Sequence, residues 1–365
     1  MSDFNSPKIV LLPALCFIFS LGGAVFGMGE ETIPFIMLLV PIFVLIGFDA
    51  LTCTVVIYLA TQIGFATSWM NPFSVSIAQV PMLSGSIFRI IMWLIFTSSI
   101  TIFAVIHALK IQKNPKSSLM FEHDNLYRNS DEHSLELTQK MCFYSWLILA
   151  SLVVTIVWLV YGVVKFGYYL PEIATLFTIL GLVTGFFAIV GRVNGMTLNT
   201  TLEAFKDGAK ALLPVCLIIS FAYGLIYLMG GSNPEHYTML NSILHYASES
   251  LSGTNHYISA LGMFYFQSIF NFFVTSGSGQ AALTMPIMSP LADLTGISRQ
   301  IAVLAFQLGD GWTHCLMPTS ATLMAVLGAA RIPYGLWLKF IFKFYLYLMI
   351  LSSIMIIISV YIGYN

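Results

Sequence analysis

The stretch Thr275-Ser276-Gly277-Ser278-Gly279-Gln280 interrupts sequence that is otherwise apolar enough to lie in lipid, with apolar runs over 256–274 and 281–294 on either side. Backbone that leaves a helix at membrane depth exposes donors and acceptors that lipid cannot satisfy, so such a break persists only where protein or a cavity surrounds it. Glycine permits a tight reversal there, and serine hydroxyls can bind a ligand. We therefore predict a re-entrant helical hairpin with its tip at this stretch.

Other polar stretches interrupt apolar sequence in the same way, and they occur in both halves of the chain. They are Gly29-Glu30-Glu31-Thr32, Asn71-Pro72-Phe73-Ser74, Gly309-Asp310-Gly311-Trp312-Thr313-His314 and Pro318-Thr319-Ser320. Landmarks also agree in order and spacing, because Pro41, Gly47, Gln62 and Gly64 correspond to Pro290, Gly296, Gln307 and Gly309. Each half is thus predicted to contain a hairpin and a broken transmembrane helix, which together suggest a transport site.

Composition places the chain in a membrane. It is 58% hydrophobic and 8% charged, and its mean hydropathy is +0.87, so a soluble protein would have too little polar surface. The net charge of −1 and the absence of a basic patch give no indication of a nucleic-acid partner. Five scattered cysteines lack metal-binding spacing and are interpreted as packing residues. The predicted fold class is an all-α polytopic membrane protein.

Five apolar runs are long enough to cross a bilayer without interruption, namely 86–109, 141–164, 173–190, 211–229 and 336–361. The polar segment 111–140 has basic ends and is therefore assigned to the cytoplasm. When membrane crossings are counted outward from this segment, the first hairpin enters from the cytoplasm and the second from the opposite side. The repeats are therefore predicted to be inverted. Residues 197–210 have the pattern of an amphipathic helix at the cytoplasmic interface.

The predicted organisation has seven parts. They are a first hairpin and broken helix in 1–85, a spanning helix in 86–110, a cytoplasmic loop in 111–140, scaffold-like helices in 141–230, an external loop in 231–255, a second hairpin and broken helix in 256–332 and a C-terminal spanning helix in 333–365. Three spanning segments precede the second hairpin and none precedes the first. The symmetry therefore predicts further N-terminal spanning helices, either lost by truncation or supplied by assembly with another chain.

Eighteen residues are candidates for substrate or ion binding, because helix halves that meet at the bilayer midplane direct N–H groups and carbonyls into one cavity. They are Glu30, Glu31, Thr32, Asn71, Pro72, Ser74, Asn271, Ser276, Gly277, Ser278, Gly279, Gln280, Asp310, Thr313, His314, Pro318, Thr319 and Ser320. Besides a small-molecule substrate and membrane lipid, we expect Na⁺ or H⁺ as the coupling ion and no other cofactor, metal or catalytic residue.

Each candidate also has a simpler structural explanation. Burial of an unpaired carboxylate is costly, so Glu30 and Glu31 suggest binding of a cation, a proton or a substrate amine, unless they lie in a water-exposed turn. Asp310 likewise suggests binding of a cation, a proton or a substrate amine, unless it caps a helix. His314 could relay protons, contact substrate or make a structural hydrogen bond. Asn271 faces either the cavity or a neighbouring helix.

Two dipeptides that contain proline, and the charges of the breaks, indicate what kind of ligand the site could bind. Asn71-Pro72 and Pro318-Thr319 either free carbonyls for ion coordination or simply kink a helix. The breaks contain acidic residues but no Lys or Arg. A cationic or zwitterionic substrate is therefore electrostatically easier than a dicarboxylate.

These stretches resemble the anaerobic C4-dicarboxylate carrier family of the ion transporter superfamily, and within it the YfcC group. The resemblance covers almost the whole chain and is carried by residues 19–24, 29–35, 71–74, 276–282, 307–311 and 318–320. It implies a homodimeric, multi-pass protein of the bacterial inner membrane that works by an elevator movement coupled to sodium or protons. Family members usually carry further N-terminal helices. His314 stands where a small polar residue is expected, and Tyr223 where relatives often have arginine.

The leading hypothesis is a secondary active transporter of a small amino acid, basic amino acids included, or of a carboxylate, rather than an enzyme. Alternatives are a carrier of C4-dicarboxylates or short-chain carboxylates, and an inactive or assembly-dependent fragment. An intramembrane aspartyl protease would use Asp49 and Asp310. It is disfavoured because Leu308 disrupts the Gly-x-Gly-Asp signature, and no His-Glu-x-x-His motif occurs.

Overall fold

The computed structural model describes residues 7–69, 84–124, 142–166, 170–228, 238–251 and 253–365, together with residues 78, 80 and 168. These residues form helices joined by turns, and no strand occurs among them. The helices are α1 Pro7–Phe26, α2 Thr32–Leu45, α3 Ala50–Thr54, α4 Ala60–Ala66, α5 Ser86–Lys113, α6 Phe143–Phe166, α7 Leu170–Val190, α8 Leu198–Leu228, α9 Met239–Leu251, α10 His256–Phe270, α11 Gly277–Leu294, α12 Arg299–His314, α13 Ala321–Ala329 and α14 Tyr334–Tyr361. A π-helical segment, Val55–Leu59, joins α3 to α4. The all-α prediction is confirmed.

The chain divides into two compact units. The first contains residues 1–128 and 214–365, and the second contains residues 129–213. All four predicted hairpin and broken-helix regions fall in the first unit. In the second unit, α6 packs against α7, and Gly191 lies against the ring of Tyr144.

The first unit contains the same succession of elements twice. In one half, α1 and α2 are followed by α3, the π-helical segment and α4, and then by the long helix α5. In the other half, α10 and α11 are followed by the single helix α12, which corresponds to α3 through α4, and then by α13 and the long helix α14. The most extensive contacts also correspond, because α1 packs on α4 and α10 packs on α12. A Cβ atom on Gly64 would lie 1.9 Å from the Ser20 carbonyl oxygen, and one on Gly309 would lie 2.9 Å from that of Phe264. Glycines at matching positions thus bring the helices into backbone contact.

Matching turns connect each hairpin to the helix that follows it. Gly47 (φ 98°) and Gly296 (φ 70°) both adopt the left-handed backbone conformation that glycine accommodates without steric penalty. The next helices then start at N-caps, since Asp49 accepts a hydrogen bond from the Thr52 amide (2.8 Å). Ser298 likewise accepts from the Ile301 amide.

Several predicted boundaries require correction. The break in the second half does not begin at Asp310, because α12 continues through His314 and the non-helical residues are 315–320. Residues 277–280 form the first turn of α11 rather than a loop. The amphipathic segment 197–210 and the span that follows it form one continuous helix, α8.

The predicted loops also contain structure. Residues 111–124 begin with the end of α5 and continue through a 3₁₀ turn, Pro115–Ser117, whereas 125–141 lie outside the described residues. The predicted external loop 231–255 contains α9. α9 is amphipathic rather than uniformly apolar, so a search for long apolar runs does not detect it.

Two helices among the described residues are long and apolar enough to cross a membrane. They are α5 and α14, each of 28 residues, with mean hydropathies of 2.1 and 2.2. Within α6 and α7 the apolar stretches are shorter and cover residues 143–159 and 174–190. Two of the five predicted spans therefore meet this criterion in full. Ile106 on α5 and Ile350 on α14 are exposed, as expected for side chains that face lipid.

Candidate functional site

The tip of the second hairpin meets the ends of both broken helices. A Cβ atom on Gly277 would lie 2.9 Å from the Phe65 ring at the end of α4, and 3.2 Å from Oδ2 of Asp310 on α12. The Thr275 hydroxyl donates to the Thr319 carbonyl in the break that follows α12 (3.0 Å). The hairpin tip therefore closes over the carboxylate of Asp310.

Asp310 is fully buried and belongs to a chain of amide side chains. Nδ2 of Asn271 donates to Oδ1 of Asp310 (2.5 Å) and to Oε1 of Gln280 (2.8 Å). Nε2 of Gln280 donates in turn to Oε1 of Gln267 (2.7 Å), whose amide reaches the Thr284 hydroxyl (3.0 Å). Asn271 thus makes the hydrogen bonds to neighbouring helices that the structural alternative requires, one of them to the buried Asp310 carboxylate, and its role in binding stays a prediction.

Three buried oxygen atoms in this region have no hydrogen-bond partner among the described residues. They are Oδ2 of Asp310, Oδ1 of Asn271 and the hydroxyl of Thr319. An unsatisfied buried polar group costs about 1–3 kcal/mol, and more when it is charged. Carboxylate, amide and hydroxyl oxygens are typical ligands of hard cations. Among the described residues, no three His, Cys, Asp or Glu side chains cluster in a way that could hold a metal ion.

His314 lies one helical turn beyond Asp310. Its Nε2 atom is 3.2 Å from Oδ1 of Asp310, and its ring lies near that of Phe65, with centroids 6.5 Å apart. The His314 carbonyl accepts a hydrogen bond from the hydroxyl of Tyr58 (2.9 Å). The imidazole is therefore part of the site, within reach of both its carboxylate and the first broken helix.

The tip of the first hairpin also reaches the other half of the chain. Oε1 of Glu30, which is exposed, accepts a hydrogen bond from the hydroxyl of Thr322 at the start of α13 (3.4 Å). Glu31 is buried and accepts from the Gly29 amide (2.8 Å), while the Thr32 hydroxyl donates to the Gly29 carbonyl (2.6 Å). Glu30 thus lies in an exposed turn and still contacts the second repeat.

The remaining candidates have local roles or lie elsewhere. The Thr313 hydroxyl bonds to the carbonyls of Gly309 and Asp310 within its own helix. Ser276 and Ser320 are N-caps, and Ser278 and Gly279 lie in the first turn of α11. Pro318 is exposed beside the break. Asn71, Pro72 and Ser74 lie outside the described residues.

A buried arginine was missed by the analysis of the sequence. Arg89 is 2% exposed and donates to Oε1 of Gln307 (2.5 Å), to Oε1 of Gln300 (2.9 Å), to the Ser68 carbonyl (3.2 Å) and to the Tyr364 hydroxyl (2.8 Å). The available signal was a charged residue inside an apolar span, which ordinarily indicates a buried polar partner.

Comparison with known proteins agrees with this arrangement. The sequence profile of the C4-dicarboxylate anaerobic carrier family matches residues 3–361. The chain belongs to this family. The resemblance inferred from the breaks is therefore confirmed, and this carrier is a membrane protein of a transporter family.

Two curated relatives are similar over most of the chain. The Escherichia coli (strain K12) protein "Putative basic amino acid antiporter YfcC" is 45% identical over 363 residues, which are 98% of this carrier and 71% of the relative. An uncharacterized protein of Haemophilus influenzae (strain ATCC 51907 / DSM 11121 / KW20 / Rd) is 30% identical over 346 residues, 93% of this carrier and 66% of that protein. The chain thus spans about two thirds of each relative.

A solved structure shares the fold. The crystal structure of the Alcanivorax borkumensis YdaH transporter, described as having an unusual topology, matches with a TM-score of 0.52 and 16% identity. The match covers 98% of this carrier and 80% of the YdaH chain. At this identity the likeness concerns the fold alone.

Proposed function

We propose that this carrier is an ion-coupled secondary transporter of a small amino acid, with basic amino acids as the preferred class. The observation that carries the proposal is the Asp310 carboxylate, which is fully buried under the hairpin tip with Oδ2 unsatisfied. A coupling cation bound there would satisfy Oδ2 of Asp310 and Oδ1 of Asn271 together. Na⁺ fits this oxygen set, and a proton shared between Asp310 and His314 is the other form of coupling that the contacts allow.

The acidic character of the site favours a positively charged or zwitterionic substrate. Asp310, Glu30 and Glu31 are its charged groups, and the hydrogen-bond partners of Asp310 and Glu30 are Asn, His and Thr side chains. Opposite charges attract strongly where water is partly excluded. The exposed carboxylate of Glu30 and the exposed hydroxyl of Ser276 at the hairpin tip would receive the substrate amine. The printed name of the Escherichia coli relative refers to the same substrate class.

The proposed mechanism is an elevator movement of inverted repeats. In support of it, the element order is repeated, and each hairpin tip contacts the opposite half of the chain. Following the family resemblance, we further propose that the protein is a homodimer in the bacterial inner membrane.

Uptake into proteoliposomes tests the proposal. Wild-type protein is expected to accumulate arginine, lysine or ornithine in a saturable manner, and uptake should collapse when the sodium or proton gradient is dissipated. Asp310→Asn keeps the shape of the side chain but removes its charge, so uptake should fall on the order of tenfold or more, the equivalent of about 1.4 kcal/mol. Asp293→Asn is the matched control, because Asp293 is an exposed aspartate paired with Arg299. Uptake by Asp310→Asn equal to that of the control would refute the site.

The family description supports a second candidate function, the transport of C4-dicarboxylates. Thermal-shift measurements with arginine, lysine, ornithine, aspartate and succinate, each with and without sodium, separate the two, because a ligand of the folded state raises Tm. Stabilisation by succinate alone would replace the amino-acid proposal. Binding of a substrate without uptake would favour the third hypothesis, activity only after assembly with further spanning helices.

A further inference from the structure

Arg89 has a structural counterpart in the other repeat. It is the fourth residue of α5, the long helix that follows the first broken helix, and Trp337 is the fourth residue of α14, which follows the second. The guanidinium donates to the Ser68 carbonyl just beyond α4 (3.2 Å), and the Trp337 indole donates to the Cys315 carbonyl just beyond α12 (2.9 Å). Each long helix therefore supplies a donor to the end of the preceding half-helix.

The two donors differ in charge. A neutral indole is sufficient to satisfy the carbonyl at the end of α12, so the hydrogen bond alone does not require a cation at the end of α4. Burial of a charge is costly, and the four acceptors of Arg89 are two amides, a carbonyl and a phenol, none of them charged. Arg89 is the one buried Lys or Arg among the residues whose burial is described. Its charge needs a separate explanation.

The position of Gln307 provides that explanation. Gln307 accepts from Arg89 and lies on α12 three residues before Asp310, so the two side chains lie on the same side of the helix. The guanidinium is thereby held within about two helical turns of a buried carboxylate, in a low-dielectric interior where charges act over such distances. The amide nitrogen of Gln307 has no hydrogen-bond partner among the described residues, so Arg89 provides the hydrogen bond that orients this side chain.

We propose that Arg89 is a positioning and charge-balancing residue for the cation site, an inference that rests on the proposed function. Its positive charge opposes that of Asp310 and thereby weakens the hold of the site on the coupling cation, so that the cation can be released in each transport cycle. Through Gln307 and Ser68 it also holds the two broken helices in register. Removal of the charge should therefore tighten cation binding and slow turnover.

The test compares three variants in proteoliposomes, with sodium and proton gradients applied separately. Arg89→Met, which retains much of the apolar stem, is expected to lower the concentration of coupling cation at half-maximal uptake by at least threefold and to lower the maximal rate. Arg89→Lys retains the charge and should restore the half-maximal concentration towards the wild-type value. Trp337→Phe removes the corresponding donor without a change of charge, so it should lower Tm without tightening cation binding.

The outcomes separate this inference from the proposed function. If the wild type shows no cation dependence, the proposed function itself fails. If the wild type is cation-dependent and folded Arg89→Met has an unchanged or weaker cation affinity, the charge-balancing role of Arg89 is overturned. Should Arg89→Met not fold, Arg89→Lys and Arg89→Gln, measured by cation-induced thermal shift in detergent, decide the question, because equal shifts for the two variants would exclude a role of charge.

Discussion

Gly64 is the residue at which the first repeat is most closely packed. A methyl group there would lie 1.9 Å from the Ser20 carbonyl oxygen and 2.8 Å from the Ala24 amide nitrogen, and neither backbone atom can move independently of α1. The reciprocal position, Gly23, meets the Thr61 carbonyl oxygen at 2.0 Å. Close packing of α1 on α4 thus depends on both glycines.

Gly64→Ala is predicted to destabilise the protein by about 1–3 kcal/mol or more, the usual cost of overpacking. Its separation of α1 from α4 would also weaken the hydrogen bond from the Ser68 hydroxyl to the Ala24 carbonyl (2.6 Å). Tm in detergent provides the measurement. Gly181→Ala is the control, since open space surrounds Gly181 in α7 and alanine is the better helix former. A wild-type Tm for Gly64→Ala would show that the helices are not in backbone contact.

At the scale of residues, the sequence singles out ionisable groups in apolar segments but does not predict what they contact. Asp310 and His314 could be recognised because ionisable groups are costly in apolar sequence. Their mutual contact could not be predicted, since it requires α12 to continue through His314 and so place the pair at i, i+4. Arg89 was overlooked because the apolar run around it reads as an ordinary span, and its partners are distant in sequence.

Among the elements, the segment that follows α5 is attached to the base of the first hairpin by two carboxylates. One is Asp124, whose Oδ2 accepts from the Ala50 amide (3.3 Å), and the other is Asp49. Oδ2 of Asp49 accepts from the Ser118 hydroxyl (2.6 Å) and lies 3.1 Å from Nε2 of His107 on α5. Its other oxygen caps α3 through Thr52. One side chain therefore joins three elements.

Asp49→Ala is predicted to loosen the attachment of residues 115–124 to the hairpin base, although the hydrogen bond between Asp124 and the Ala50 amide remains. The loss of an N-cap alone costs about 1 kcal/mol, and His107 and Ser118 would lose their shared acceptor. Faster trypsin cleavage after Lys116, which is exposed, would report the loosening. Asp207→Ala, at an exposed position paired only with Lys210, should leave the cleavage rate unchanged. Equal rates for the two variants would contradict the attachment.

Helix boundaries were predictable where a break in the apolar sequence contains residues that favour turns or helix N-caps. The hairpin turns at Gly47 and Gly296 and the tip before Gly277 follow from glycine and N-capping serine. The end of α12 was not predictable, because Gly309, Asp310 and Gly311 have low helix propensity and tertiary packing overrides it. Gly311, for example, lies against Ala66, where a larger residue would not fit.

For the whole molecule, the inverted orientation of the repeats remains a prediction. Leu45 and Leu294 occupy corresponding positions at the bases of the two hairpins, and both are exposed. In a cysteine-free background, Leu45→Cys should react with a membrane-impermeant maleimide added from the cytoplasmic side, and Leu294→Cys with the reagent added from outside. Labelling of both from one side would show that the repeats are parallel.

The overall class was predictable because apolar composition leaves few alternatives, and the repeated spacing of breaks indicated a transporter architecture before any contact was known. The coupling cation was not predictable, because under the proposed function its binding depends on which oxygen atoms remain unsatisfied after folding. Asn271, for example, uses its amide nitrogen for Gln280 and Asp310 and leaves its oxygen free.

The glycine contacts of the two repeats restrict where this carrier can bend. Because Gly23 and Gly64 face each other's backbones, α1 and α4 cannot slide past one another by a fraction of a turn, and the contact of Gly309 with α10 places the same restriction on the other half. The pair α1 and α4, and likewise the pair α10 and α12, must therefore move as a rigid body. Bending is thus left to non-helical residues, among them the short turns at the hairpin tips, residues 27–31 and 271–276.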